Sequence, residues 1–296
     1  MKVHGPSKTA GTIAAHRALE SRKPEDKRVC YDPFAERLLD PHFSAFGEFR
    51  LPKKPAYWLY EAIFPGFNGY FVARTRHIDE YLQACIQNGL EQLVILGAGY
   101  DSRAYRFEQL KGQAKIFEVD QPATQRVKTA KLKAIFGRTP EHVTFVPIDF
   151  TQETLGEKLY EKGYERQLNT LFIWEGVTMY ITQEAVDAVL AFVVKNSGEG
   201  SSIIFDYTHL SVVKGTSSRW EAKTWRRGAK RLNERLLFGI EEENIEGFLT
   251  QRGFDQINNA NHIWLKQRYF IGANRERQIT PIMDIVHAAV KPSASE

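Results

Sequence analysis

Gln92-Leu93-Val94-Ile95-Leu96-Gly97-Ala98-Gly99 decides the fold. Five residues, four of them aliphatic, end in two glycines one residue apart. A short apolar run bounded by turn residues is the pattern of a strand buried on both faces. Glycine at its end lets the backbone take a tight turn and lie bare beside a ligand. Such a strand belongs to a parallel sheet, and the chain supplies the rest of one. Ala114–Asp120 reads as a second strand, followed by a helix after Pro122. His142–Asp149 reads as a third, Thr170–Glu175 as a fourth, and a helix over 183–195 leads to a fifth at Ser202–Tyr207. Strands alternating with helices imply a parallel sheet covered by helices on both faces.

The flanks extend this core. Thr9–Ser21 is predicted helical. A second helix is expected to start at Pro33, with Phe34, Leu38 and Leu39 on one face, and a third over Ala73–Asn88, closed by Gly89. Residues 41–70 hold Pro41, Pro52, Pro55 and Pro65 among Tyr57, Trp58, Tyr60, Phe64, Phe67 and Tyr70, which suggests a packed, irregular cap. Residues 211–250 read as helical and amphipathic, and Ile282–Val290 as the last strand. The expectation is one α/β domain over 1–296, Rossmann-like with a mostly parallel sheet. An N-terminal helical cap (1–90), a cofactor-binding core (91–210), a helical insertion (211–250) and a completion of the sheet (251–296) make it up.

With 43% hydrophobic and 12% aromatic residues in 296, the chain can bury a large core. Its net charge of +4 is small, with basic residues dense between Lys214 and Arg235. This does not call for nucleic acid, but it suits an anionic small molecule or an acidic peptide. Several cations of that stretch, such as Lys223, Arg227 and Arg231, share a helix face. They read as a solvated surface or as an electropositive entrance for an anionic acceptor. Cys30 and Cys85, without metal-ligand spacing, read as reduced thiols. No secretory signal or membrane span is evident, so a cytoplasmic protein is expected. A homodimer is compatible with the chain, and no metal site is expected.

In a doubly wound sheet the ligand sits beyond the strands' carboxyl ends, beside the first glycine turn. Asp120 ends the second strand, 23 residues after Gly97, a spacing suited to a carboxylate that accepts the hydroxyls of a ribose. The bland alternative is a structural turn and a helix-capping aspartate. Gly97-Ala98-Gly99-Tyr100-Asp101-Ser102 is an imperfect dinucleotide fingerprint, so a nicotinamide cofactor stays open beside S-adenosylmethionine. The latter has no pyrophosphate to place at a helix N-terminus. It has instead an amino-acid end that calls for an arginine and an acid.

Several stretches together resemble the leucine carboxyl methyltransferase family. They are VILGAGYDSRAYR (Val94–Arg106), FEVDQP (Phe117–Pro122), VPIDF (Val146–Phe150) and WEGVTMYIT (Trp174–Thr182). SKTAGTIAAHRALE (Ser7–Glu20), DPFAERLL (Asp32–Leu39) and ARTRHIDEYL (Ala73–Leu82) extend the likeness, which fades after about Tyr207. It is closest to the bacterial branch, with polyketide O-methyltransferases such as that of tetracenomycin biosynthesis. The resemblance implies S-adenosylmethionine as cofactor. Arg74 would pair with its carboxylate and Gly97 and Gly99 would line the methionine portion. Asp120 would take the ribose, with Glu118 set aside as facing the other side of the strand. Asp149 and Phe150 would hold the adenine, Glu175 would face the ammonium, and Lys8 would reach in from the cap. It further implies methylation of an oxygen, with a small-molecule carboxylate as the expected acceptor, then a phenol or hydroxyl, then a protein C-terminal carboxylate. A carboxylate is already ionised at neutral pH, whereas a phenol gains from a general base. Tyr180 and His209 are the candidates for that role by position. An oxidoreductase, or a cofactor sensor without catalysis, are the readings from other classes.

Overall fold

The structure is a computed structural model that describes residues 8–39, 60–149, 153–231 and 234–292, without the side chains of Lys8 and Arg231. Helix α1 (Lys8–Ser21) and the single turn α2 (Ala35–Leu38) precede the long helix α3 (Phe67–Gln87). Then come β1 (Gln92–Leu96), α4 (Arg103–Arg106), β2 (Lys115–Asp120), α5 (Pro122–Phe136), β3 (Val143–Pro147), α6 (Leu155–Glu161) and β4 (Thr170–Trp174). The chain continues through α7 (Gln183–Lys195), β5 (Ser202–Thr208), α8 (Leu210–Lys214), α9 (Trp220–Arg231) and α10 (Ile245–Thr250). It ends with β6 (Phe254–Ala260), α11 (His262–Tyr269) and β7 (Met283–Val290).

The strands form one seven-stranded sheet in the order β3-β2-β1-β4-β5-β7-β6. β1 to β5 run parallel, and β7 lies antiparallel between β5 and β6. The period of two along each strand sorts side chains to two cores. Leu93, Ile95, Leu171, Ile173 and Ile204 pack with α1, α3 and α5 on one face. Val94, Leu96, Phe117, Phe172, Trp174, Ile203 and Phe205 pack with α6, α7 and α10 on the other. β1, β4 and β5 are buried throughout, as central strands covered on both sides must be.

The expected fold is the observed one, with local corrections. α3 begins at Phe67, six residues before the expected start. Gly66 and Gly69 disguise it: a Cβ at Gly69 would stand 1.9 Å from the Gln278 carbonyl oxygen, so these weak helix formers serve a close approach to the 278–280 segment. Pro33 is not helical. Asp32 Oδ1 accepts the N–H groups of Phe34 and Ala35, and only Ala35–Leu38 turns as a helix. The 211–250 stretch is three short helices, not one helical block. Gly215, at φ 76°, closes α8, and residues 234–240 run without helix alongside the turn after β4. β6, which periodicity does not reveal, is an Asn-rich edge strand with a register shift between Asp255 and Asn258. Most of the aromatic cap, including Tyr57 and Trp58, lies outside the described residues. No described helix is long and apolar enough to cross a membrane.

Candidate active site

Four strand ends meet one helix face here. Gly97 and Gly99 follow β1 at φ 66° and 41°, values that favour glycine. A Cβ on Gly97 would stand 2.4 Å from Val177 Cγ2, and one on Gly99 3.1 Å from Ala10 Cβ. Gly176, after β4, lies under Ile13 and the Arg74 guanidinium. Helix α1 therefore packs directly onto both glycine turns. Its second half is pinned by Arg17, which donates to Asp32 Oδ2 at 2.8 Å and to the Tyr100 carbonyl at 2.6 Å.

Asp120 holds the first turn. Its Oδ2 accepts the Gly99 N–H at 2.5 Å and its Oδ1 the Gln121 N–H at 2.6 Å. Burial raises its carboxyl above the usual range in spite of these two bonds. A carboxylate offers about four lone-pair sites, so capacity remains for two hydroxyls. Beneath the turn, Lys128 of α5 donates to the Ala98 carbonyl and pairs with Glu118 at 2.8 Å. This corrects the expectation for Glu118. Two residues from Asp120, it shares that residue's strand face, and what withdraws it from the ligand side is its pairing with Lys128 and Tyr105.

The centre of the site is a buried ion cluster. Arg74, on α3, donates through Nε to Glu175 Oε1 at 3.0 Å and through Nη1 to Asp206 Oδ2 at 2.5 Å. Glu175 also accepts from Arg103 Nη1 at 2.6 Å, and Arg103 in turn meets Asp101 and Asp79. The Gly176 N–H binds Asp206 Oδ1 at 2.6 Å. Burial opposes ionisation of Glu175, but the guanidiniums of Arg103 and Arg74 hold its carboxyl far below the ordinary range. At Asp206 burial outweighs the Arg74 guanidinium and the Gly176 N–H, and with the charge of Glu175 nearby its carboxyl is raised. Arg74 and Glu175, the two residues expected at the charged ends of an amino-acid ligand, are thus already paired to each other. Sequence reasoning missed their partners. Arg103 lay within the quoted glycine-turn motif and Asp206 within the fifth strand, an acid in an otherwise apolar and aromatic run.

The pair suits a zwitterion. Arg74 Nη2 lies 2.9 Å from Glu175 Oε1 but makes no hydrogen bond of good geometry among the described residues, a buried donor with capacity left for a carboxylate. The residues present are chemically suited to S-adenosylmethionine: Arg74 could take its carboxylate, Glu175 its ammonium and Asp120 its ribose. Asp149 stands half-buried just beyond β3, where the preceding residue's N–H bonds the Asp120 carbonyl. It is therefore near Asp120, where it could reach the adenine. Phe150 lies outside the described residues. Lys8 begins α1, and its side chain is not described.

The two candidate bases part company. Tyr180 sits in the 3-10 turn Thr178–Tyr180, fixed onto β5 by Thr178 Oγ1 donating to the Asp206 carbonyl at 2.6 Å. Burial, reinforced by the charges of Glu234 and Asp206, raises its phenol well above its ordinary value. His209 is not brought to the cluster. Three residues past Asp206, its ring falls on the opposite side, bonded to Asp284 at 3.3 Å and 2.6 Å from Glu242.

A parallel sheet with one antiparallel strand inserted next to its last is the fold of the class I S-adenosylmethionine-dependent methyltransferases. The chain belongs to the leucine carboxyl methyltransferase family, whose pattern matches residues 10–194. It is 38% identical over 152 residues to Bacillus subtilis YktD, named "Putative S-adenosyl-L-methionine-dependent methyltransferase YktD". That match spans 51% of this chain and 50% of the Bacillus protein. It is 32% identical over 231 residues to a Mycobacterium avium protein of the same class name, covering 76% of this chain and 69% of that one. In fold it is similar to a Thermobifida fusca structure described as "a putative methyltransferase", with a TM-score of 0.61 at 11% identity over 98% and 97% of the two chains. The cofactor of this family is S-adenosylmethionine, and the nicotinamide alternative falls away.

Proposed function

We propose that the chain methylates an oxygen of a small-molecule acceptor, a carboxylate in preference to a phenol. The buried Arg74–Glu175 pair beside the glycine turn carries the cofactor half of this reading. When bound, S-adenosylmethionine supplies a methyl group on a positively charged sulfur, already activated for displacement. The protein's work is then alignment and exclusion of water. Arg74 and Glu175 fix the amino-acid end, Asp120 fixes the ribose, and α1, seated on Gly99 and Gly176, shuts solvent out.

The state of Tyr180 supports the acceptor half. A phenol raised by burial keeps its proton at neutral pH and can donate a hydrogen bond, but it is a poor candidate to withdraw a proton. His209, engaged by Asp284 and Glu242, faces away. An acceptor that arrives ionised needs neither. Tyr180 is better placed to orient an acceptor oxygen than to deprotonate it.

The test is transfer of labelled methyl from S-adenosylmethionine to a panel of carboxylates and phenols, followed by mild alkali. Release of the label as methanol marks an ester and supports the proposal. An alkali-stable product found only with phenols overturns it.

A further inference from the structure

A cavity of about 560 Å³ opens beside the insertion, lined by Val213, Lys223, Arg226, Arg227, Lys230, Glu234, Arg235 and Leu236. That volume is in the range of small-ligand sites, ~300–1,000 Å³. Five of its lining residues are cations. Among the described residues none of the five pairs with a carboxylate, so five like charges line a common space. Its one acid, Glu234, is turned to α1, where it accepts the Thr9 hydroxyl.

The cations are held by a docked helix. Ala222 and Ala229 of α9 are buried, Trp225 packs edge-on to Phe67 at 5.8 Å, and Gly228 lies against Phe64. The Arg226 guanidinium rests on the backbone at Gly215, where an added Cβ would meet its Nη1 at 1.9 Å.

The cavity also adjoins the methyl-transfer site. Leu237, next to its wall residue Leu236, donates its N–H to the Met179 carbonyl at 2.8 Å. Met179 belongs to the turn that carries Tyr180, and that turn is fixed to Asp206, the partner of Arg74.

We propose that this cavity binds an anionic oxygen group of the methyl acceptor, a carboxylate or phosphate standing apart from the oxygen that is methylated. The proposal rests on the acceptor reading above. It adds that the acceptor carries a second anion and that Arg226, Arg227, Lys230 and Arg235 select for it. Electropositive clefts concentrate such ligands and steer them inward.

The test uses the full chain with and without S-adenosylhomocysteine. Citrate and inorganic pyrophosphate are titrated calorimetrically at low salt, one probe for each anion chemistry. One or both should bind with a dissociation constant of about 1 mM or tighter. Added salt should weaken binding, since the Debye length shrinks to ~10 Å at 0.1 M. Arg226→Glu/Arg227→Glu on α9 and, separately, Arg235→Glu beyond it should each weaken the probe by about 10-fold or more, with S-adenosylhomocysteine affinity unchanged. Two variants on different segments guard against a local folding defect. Absence of binding by either probe, or equal binding by wild type and both variants, overturns the proposal. Failure of S-adenosylhomocysteine to bind the wild type would instead sink the methyltransferase reading, and the anion titration would still report on the cavity.

Discussion

Replacing Glu175 by glutamine removes one charge from the buried cluster and keeps its shape. Glu175 holds Arg74 at 2.9–3.0 Å and Arg103 at 2.6 Å, with side-chain exposures of 1%, 2% and 9% for Arg74, Arg103 and Glu175. Removing one partner of a buried pair commonly costs ~3–5 kcal/mol, because a charge is left uncompensated. Here Arg74 keeps Asp206, Arg103 keeps Asp101 and Asp79, and glutamine retains an acceptor oxygen, so the expected loss is about 1–3 kcal/mol. Affinity for S-adenosylhomocysteine should fall separately. A charge-assisted bond to the ligand ammonium contributes ~1.5–3 kcal/mol, or about 10- to 150-fold in dissociation constant. The pH dependence gives a third reading. Because the folded carboxyl is depressed, its stabilisation is present above its unfolded value, near pH ~4.3, and fades as pH falls toward the lower folded value. The stability gap between wild type and variant, from urea unfolding, should therefore be full at pH 7 and narrow below about pH 4. A gap that persists at low pH refutes the electrostatic account. Unchanged S-adenosylhomocysteine affinity in calorimetry, with stability lowered, refutes the ligand role and leaves Glu175 a purely structural acid.

Gly97→Ala forces a side chain onto φ 66° and against Val177 Cγ2, so it should cost about 1–3 kcal/mol in unfolding free energy and weaken S-adenosylhomocysteine binding; a neutral variant would show that the turn is not constrained as described. Asp120→Ala should raise the S-adenosylhomocysteine dissociation constant by about 1–3 kcal/mol equivalent, and unchanged calorimetry would move the ribose contact elsewhere. Burial lifts the Cys30 thiol well above its usual range and the Cys85 thiol to about 11, so a thiol reagent at pH 7.5 should label the native protein slowly and both cysteines promptly in denaturant. With a carboxylate acceptor, kcat should stay nearly flat from about pH 6 to 9 and His209→Ala should leave it nearly intact, whereas a rate that climbs with pH and falls ~10²–10⁴-fold in either Tyr180→Phe or His209→Ala would point to a phenol and its base.

The sheet was legible because its central strands are buried on both faces, and such strands announce themselves as apolar runs. Gln92–Leu96 and Thr170–Trp174 could scarcely be surface strands. β6 stayed hidden for the opposite reason: an edge strand with a bulge and three Asn or Gln residues exposes too much to show a period. The start of α3 was masked by glycines whose purpose is tertiary, a close approach to residues 278–280 that local propensity cannot signal. In the site, candidate residues at strand ends were legible because topology puts ligands there. Arg103 and Asp206 were not, since their role is to compensate charges brought from other elements. Only the fold shows that α3, α4 and the ends of β4 and β5 converge. His209 illustrates the limit of position along the chain: three residues beyond Asp206 is close in sequence, yet strand alternation sends its ring to the other face.

The family match ends at residue 194, and that boundary falls between the two parts of the proposed site. Arg74, Gly97, Gly99, Asp120, Asp149 and Glu175, the residues proposed for the cofactor, all precede it, as does Arg103, which compensates Glu175. Asp206 and the basic cavity follow it. An acid on β5 thus completes a cluster whose other members lie in the shared part, and the same strand leads directly into the insertion that carries Lys223, Arg226 and Arg227. Tyr180 is the hinge between them: its turn rests on Asp206 on one side and receives Leu237 on the other. A change of acceptor can therefore be accommodated by altering residues 210–240 while the ion cluster under α1 stays as it is. The converse does not hold. Altering Asp206 would disturb Arg74, and through it the amino-acid end of the cofactor, which ties the acceptor side to the cofactor side through one buried hydrogen-bonded pair.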